Sequence, residues 1–332
     1  VKRLFQLWQI WETRLYESKL VQMILLWAKT HSFPGFFKVS VYDVAVGLQN
    51  ELRKYDLFIR ANAVAYSFFL ALFPSLIALF TLIPILKKTI LHYLPEGEQF
   101  DMHLQAELQR LMPGVAGQRL FDFIEDITNH PRVALLSFGF LMAIYFASNG
   151  MLALMQGFDK SYPLTFVKRS PLAKRGIAIL LTFILGMLLI ASVILIILGD
   201  LLIRFFSDLV GLDLLSALML SGLRWVIIFA LFYFSIGIIY RMGAATRKKF
   251  RLFTPGASVA TFLSIISSLV FSAYVNNFNT YNELYGSIGT IIILMLWIQI
   301  NAFSLLIGFE LNASIAVNRD ERQHIFQPDS KT

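Results

Sequence analysis

Long stretches without a charged residue constrain this 332-residue chain more than any other feature. A run of 18 or more apolar residues without charge reads as a transmembrane helix. Five segments qualify: Ala63 to Leu86, Val133 to Met155, Ile177 to Gly199, Leu252 to Phe278 and Gly286 to Phe309. At ~1.5 Å rise per residue, a run of about 24 residues reaches ~36 Å and crosses ~30 Å of hydrocarbon with some tilt. A sixth segment, Leu214 to Tyr240, is interrupted by Arg224, so Arg224 belongs near one end of that span. Composition agrees. Only 15% of residues are charged and 57% are hydrophobic, whereas soluble domains carry about 25% charge. Disorder, coiled coil and a disulfide scaffold are excluded together, the last because there is no Cys. The expected fold is all-α: a polytopic membrane protein with six transmembrane helices.

Charge sets the orientation. Residues 1–62 carry nine Lys/Arg, and the loops after spans two and four carry five each. The latter cluster is Arg241, Arg247, Lys248, Lys249 and Arg251, with three further basic residues in the tail. The opposite loops hold five in 87–132, then Arg204, then none. The positive-inside rule therefore places both termini in the cytoplasm. The net charge of +8 describes how the chain sits in a membrane and gives no reason to expect a nucleic-acid partner. The expected division is 1–62 as cytoplasmic and interfacial amphipathic helices, 63–312 as the membrane domain, and 313–332 as a cytoplasmic tail. No cleavable signal peptide is read, since the apolar stretch Leu20 to Ala28 is short and no small-residue site follows.

Residues 38–60 suggest an amphipathic helix, with Val41, Ala45, Leu48, Leu52, Tyr55 and Ile59 on one face and Asp43, Asn50 and Lys54 opposite. Trp8, Trp11 and Trp27 mark further interfacial helix. The loop 87–132 is expected to form two short helices around the break at Pro113-Gly114. Its acids and His92, His103 and His130 show no ligand spacing, so neither a metal nor another cofactor is expected.

Between lipid-embedded helices, association depends on small and polar residues. Close packing explains the Ser, Ala and Gly stripes, whereas Asn and Gln near mid-membrane are costlier and fit a polar cavity. The candidate cavity residues are Tyr66, Ser67, Pro74, Asn149, Gln299, Asn301, Glu310 and Asn312. Arg224 and Glu310 fall at opposite ends of their spans, about 20 Å or more apart in depth. Glu310 is therefore expected to meet Asn62, Arg60 or Arg241. Arg247, Lys248, Lys249 and Arg251 are candidate contacts for anionic lipid headgroups, although they also serve as plain topology determinants.

The ordered set Pro255-Gly256-Ala257, Tyr274, Phe278, Tyr281, Tyr285-Gly286-Ser287-Ile288-Gly289, Trp297 and Gly308-Phe309-Glu310-Leu311-Asn312 resembles the YihY/BrkB family of bacterial inner-membrane proteins. Ala63 to Pro74 and Ser148-Asn149-Gly150 fit the same family, so the resemblance covers about residues 45–315. It departs at Met242-Gly243, where members often have Leu-Pro, at Gln299, where an aromatic is common, and at Phe309, where Ala is usual. The resemblance implies six spans with both termini inside, and links with envelope integrity, serum resistance and movement of lipidic precursors. It also brings an older ribonuclease label. Metal-assisted RNA hydrolysis needs clustered carboxylates or histidines, and the acids of the cytoplasmic segments are scattered, so no enzyme activity and no catalytic residue are expected. The leading expectation is a transporter or flippase-like carrier of a lipid or other amphiphile, with membrane lipids as partners. The alternative is a non-transporting scaffold for envelope proteins.

Overall fold

The structure, a computed structural model, describes residues 19–54, 57–72, 133–210, 214–277 and 279–326, with 122 and 125 besides. Among these residues it is helical, and its one β feature is an isolated antiparallel bridge between Phe166 and Thr246. The helices are α1 (Lys19–Thr30), α2 (Val41–Lys54), α3 (Leu57–Leu72), α4 (Val133–Gly157), α5 (Pro171–Val210), α6 (Leu214–Ile238), α7 (Pro255–Asn277) and α8 (Asn279–Phe326). A π turn, Ile239–Gly243, continues α6.

Three helical stretches among the described residues are long and apolar enough to cross a membrane: Pro171–Ser192, Pro255–Tyr274 and Ile292–Ile325. Leu57–Leu72 and Phe229–Gly243 are shorter apolar helices. The expected first span continues through 73–86, and the helical loop is expected over 87–132; both lie outside the described residues save 122 and 125. Apolar side chains cover the outer faces: Phe183, Leu189, Phe262, Leu269 and Val270 are all exposed. In water such surface would aggregate, whereas lipid tails match it.

Two helices outrun the apolar stretches that suggested them. Helix α5 starts at Pro171, suited to the first helical position because its missing N–H is unpaired there anyway, and the Ser170 hydroxyl accepts the Ala173 amide at 3.3 Å. Helix α8 runs 48 residues, or ~72 Å at 1.5 Å per residue. It carries the helix through Phe326 into what was expected as a separate tail, because Ala313, Ser314, Ile315 and Ala316 are buried there.

The described core concentrates at one end of the bundle, where α2, the 158–170 segment, the 244–254 segment and the middle of α8 meet. Phe309 is its aromatic centre. It stacks on Phe158 at 4.2 Å between centroids and meets Phe166, Tyr240 and Phe250 between 6.3 and 6.4 Å. The departure from Ala at this position thus has a local packing role. The buried Tyr240 hydroxyl donates to the Leu305 carbonyl at 2.6 Å. Helices α7 and α8 cross at Gly256 and Gly308, where each carbonyl occupies the space a Cβ on the other would need.

The amphipathic reading of 38–60 needs correction. The helix α2 ends at Lys54, Ala45 is exposed, and Ile59 on α3 is 63% exposed. The buried face is instead Val44 and Glu51, with Gly47 between them against α8. A Cβ at Gly47 would collide with Ser314 and approach Asn318 Nδ2 to 3.0 Å. The Ser314 hydroxyl donates to the Val44 carbonyl at 3.1 Å. Backbone clearance, rather than the number of apolar side chains, fixes the rotation of this helix.

Candidate functional site

Four ionic side chains from four parts of the chain meet at the polar end of the bundle. Glu310 on α8 is fully buried; its Oε1 accepts from Arg60 Nη1 of α3 at 2.7 Å. Lys160 Nζ, 1% exposed, lies 2.7 Å from Glu310 Oε2, an ion pair set off the hydrogen-bonding direction. The same ammonium donates to Glu51 Oε2 of α2 at 2.5 Å, and the Tyr162 hydroxyl donates to the other Glu51 oxygen. Two carboxylates and two cations give this cluster no net formal charge. Burying it without compensation would be costly, and the alternation of signs is what makes it tolerable.

Asn312, two residues beyond Glu310, serves a different neighbour. Its Oδ1 accepts the Gly256 amide at 2.9 Å and its Nδ2 donates to Thr254 Oγ1 at 2.9 Å. The first turn of α7 is thereby satisfied inside the protein, as a helix entering an apolar medium requires. Arg169 performs the converse task at the end of α6. Its guanidinium donates to the carbonyls of Met242, Gly243 and Ala244 at 2.9, 3.0 and 2.8 Å. Burial draws this guanidinium below its usual pKa, partly offset by Asp159.

The other cavity residues read from sequence go to separate places. Gln299 donates to Asn62 Oδ1 at 2.5 Å. Asn149 accepts from Arg175 at 2.5 Å, and that guanidinium lies 4.2 Å over the Tyr145 ring. Asn301 bonds back to the Trp297 carbonyl of its own helix, and Ser67 to that of Ala63. Tyr66 is 55% exposed on the outer surface of α3, and Pro74 lies outside the described residues. Glu310 and Asn312 are the fully enclosed members. Of the partners expected for Glu310, Arg60 is the one that binds it, while Arg241 donates to the Phe250 carbonyl at 3.2 Å. Sequence reasoning passed over Glu51, Lys160 and Tyr162; the first was one of several scattered acids and the second one of several loop cations.

The basic run splits in two. Arg247 donates to the Pro163 carbonyl at 2.9 Å and Lys248 to Gln323 at 3.0 Å. Lys249 and Arg251 turn the other way and, with Lys38 and Arg319, line a cavity of about 610 Å³. A second cavity of about 270 Å³ lies beside Glu51, Tyr162 and Gly47. Among the described residues no group of three or more His, Asp or Glu side chains is arranged to hold a metal.

Comparison with known proteins adds the lineage. The family described as Virulence factor BrkB matches residues 48–331. The chain is 32% identical to the ribonuclease-like protein YfkH of Bacillus subtilis over 254 residues, 76% of this chain and 88% of that one. It is 26% identical to a UPF0761 membrane protein of Idiomarina loihiensis, across 69% of this chain and 75% of the relative. A UPF0761 membrane protein of Xanthomonas oryzae shares 34% identity over 98 residues, 30% of this chain and 22% of the relative. No solved structure matches the chain.

Proposed function

Because this chain belongs to the Virulence factor BrkB family, we propose that it is a six-span protein of the bacterial inner membrane, with both termini cytoplasmic, that carries a lipid or other amphiphile and so contributes to envelope integrity. The observation that carries this reading is Glu310. It is a fully buried carboxylate and the one charged residue between Ile292 and Asn318 of α8, tied to cations from α3 and from the 158–170 segment. Ionisable groups inside apolar helices are expensive and mark pathways or moving parts. A passive anchor has no need of them. The cluster joins α2, α3, α8 and the 158–170 segment, so a rearrangement of its pairs would change how these elements close the cytoplasmic end. The reading is of a non-enzymatic protein, since its most enclosed carboxylates are already neutralised by Arg60 and Lys160.

Orientation is tested by single cysteines, because the chain has none of its own. A cysteine replacing Lys168 should react with a membrane-impermeant maleimide only after cells are permeabilised, whereas one replacing Gln105 should react in intact cells. The reverse pattern overturns the topology. Carriage is tested by reconstituting the protein into vesicles containing fluorescent phosphatidylglycerol and following loss of the inner-leaflet pool to an external quencher. Movement faster than in protein-free vesicles is expected. A rate equal to that of protein-free vesicles removes the carrier reading and leaves a scaffold.

A further inference from the structure

The cavity of about 610 Å³ is large enough for a lipid headgroup. Its wall carries four cations, Lys38, Lys249, Arg251 and Arg319, and no carboxylate. Among the described residues, no ion-pair partner lies within 4 Å of Lys38, Lys249 or Arg251; Arg319 has Asp320 at 2.9 Å. Unpaired cations converging on one hollow repel each other, and an anion with several acceptor oxygens relieves that repulsion.

The loop that closes the cavity is held in an unusual backbone conformation. Gly35, Phe37 and Lys38 have φ of 89°, 52° and 67°, the last two being uncommon for residues with a Cβ. Gly35 lies so near α7 that a Cβ would come within 2.9 Å of Pro255 Cγ. This conformation brings the Phe37 ring within reach of two guanidinium groups, with Arg251 at 5.6 Å and Arg319 at 5.2 Å from its centroid. The ring thus gathers two planar donors suited to a phosphate at one place.

The rim shows from where the anion comes. Phe253 is 76% exposed and stacks on Tyr233 of the apolar helix α6 at 5.7 Å. Phe33, which also lines the cavity, packs on Trp27 of α1, whose Met23, Ile24 and Leu26 are also exposed. Exposed aromatics at the end of apolar helices mark the level of the headgroups. A polar solute has no use for this apolar belt, but the chains of a lipid do.

We propose that this cavity binds the phosphate of an anionic phospholipid headgroup in the cytoplasmic leaflet, through Lys249, Arg251, Lys38 and Arg319. It deepens the carrier reading by giving the amphiphile a chemical class and an inner-leaflet seat. The binding claim requires only the membrane setting and survives if no lipid is moved.

The test titrates a fluorescent short-chain phosphatidylglycerol into the full chain in uncharged detergent, where the micelle has no sides and transport plays no part. Lys249→Gln with Arg251→Gln should weaken binding about tenfold or more, the range for losing hydrogen bonds to a charged group. Lys168→Gln with Lys174→Gln removes the same charge from loop and helix positions outside the cavity, and should leave affinity within about twofold. Lys38→Asn keeps a residue that accepts the left-handed backbone and should weaken binding about threefold, so the site stays testable if the double variant does not fold. Equal weakening by the two double variants indicates diffuse surface charge and overturns the proposal. Displacement of the lipid by equimolar inorganic phosphate assigns the cavity to a free anion and also overturns it.

Discussion

Gly308→Ala should lower the stability of the protein in detergent by about 3–5 kcal/mol, as the sum of overpacking and two disturbed hydrogen bonds. The added methyl group would stand 2.5 Å from the Tyr240 hydroxyl oxygen and 2.6 Å from Ala260 Cβ, and closer still to the Gly256 carbonyl. A flexible side chain could swing away. A helix backbone cannot, so α7 and α8 must part. Parting them pulls the Gly256 amide from Asn312 and the Tyr240 hydroxyl from the Leu305 carbonyl. Gly186→Ala is the matched control, because a Cβ there meets nothing within 4 Å. Higher helix propensity should make that change neutral or slightly stabilising. Thermal unfolding of the two variants, read by tryptophan fluorescence and by the fraction eluting as a monodisperse peak, decides the matter. Similar midpoints for the two would show that the crossing at Gly256 and Gly308 is looser than the structure has it.

Much of this architecture is legible in the sequence because a bilayer imposes a coarse rule. Apolar runs announce α5, α7 and α8 directly. Their ends are less legible, since the rule stops where charges begin while the helix does not. Helix α8 continues beyond Glu310 because α2 covers it, and that cover is tertiary information. Depth alone narrowed the partner of Glu310 to Asn62, Arg60 or Arg241, and packing selects Arg60 among them. Lys160 and Glu51 did not follow, because a loop lysine's reach depends on how the chain folds back after Gly157. Apolar periodicity misjudged α2 for a related reason. Periodicity counts side chains, whereas the close contact with Ser314 and Asn318 selects the face that lacks one. Within the basic run, Arg247 and Lys248 cannot be told from Lys249 and Arg251 by composition. Only the loop conformation sends the first pair toward Pro163 and Gln323 and the second into the cavity. The blocks that carry the family resemblance were recognisable as an ordered set, but their spatial convergence was not. Pro255-Gly256 and Gly308 to Asn312 form one contact, with a crossing point, a helix cap and a buried acid within five residues.

Glu310→Gln should cost about 3–5 kcal/mol, the range for breaking a buried ion pair by removing one partner. The amide fits the same space, so the loss is electrostatic. It takes away the carboxylate that Arg60 and Lys160 share and leaves the four-residue cluster with an excess positive charge. Lys160 retains Glu51 at 2.5 Å, and Arg60 is 18% exposed, so water screens part of the excess. The informative variant is therefore the double one. Arg60→Gln with Glu310→Gln removes one charge of each sign and leaves Lys160 with Glu51, which should recover most of the stability lost in either single variant. Thermal midpoints of the four proteins close a double-mutant cycle, and coupling is expected because the groups touch. Simple addition of the two single losses would sink the shared-carboxylate account. The double variant also separates structure from function. Replacing a buried ion pair with neutral groups of similar volume is often harmless to folding. If the refolded cluster is stable but phosphatidylglycerol no longer moves in vesicles, the charges belong to the carrying step. If movement is unchanged, they serve only to lock these ends of α3 and α8, and the proposed carriage must work without them.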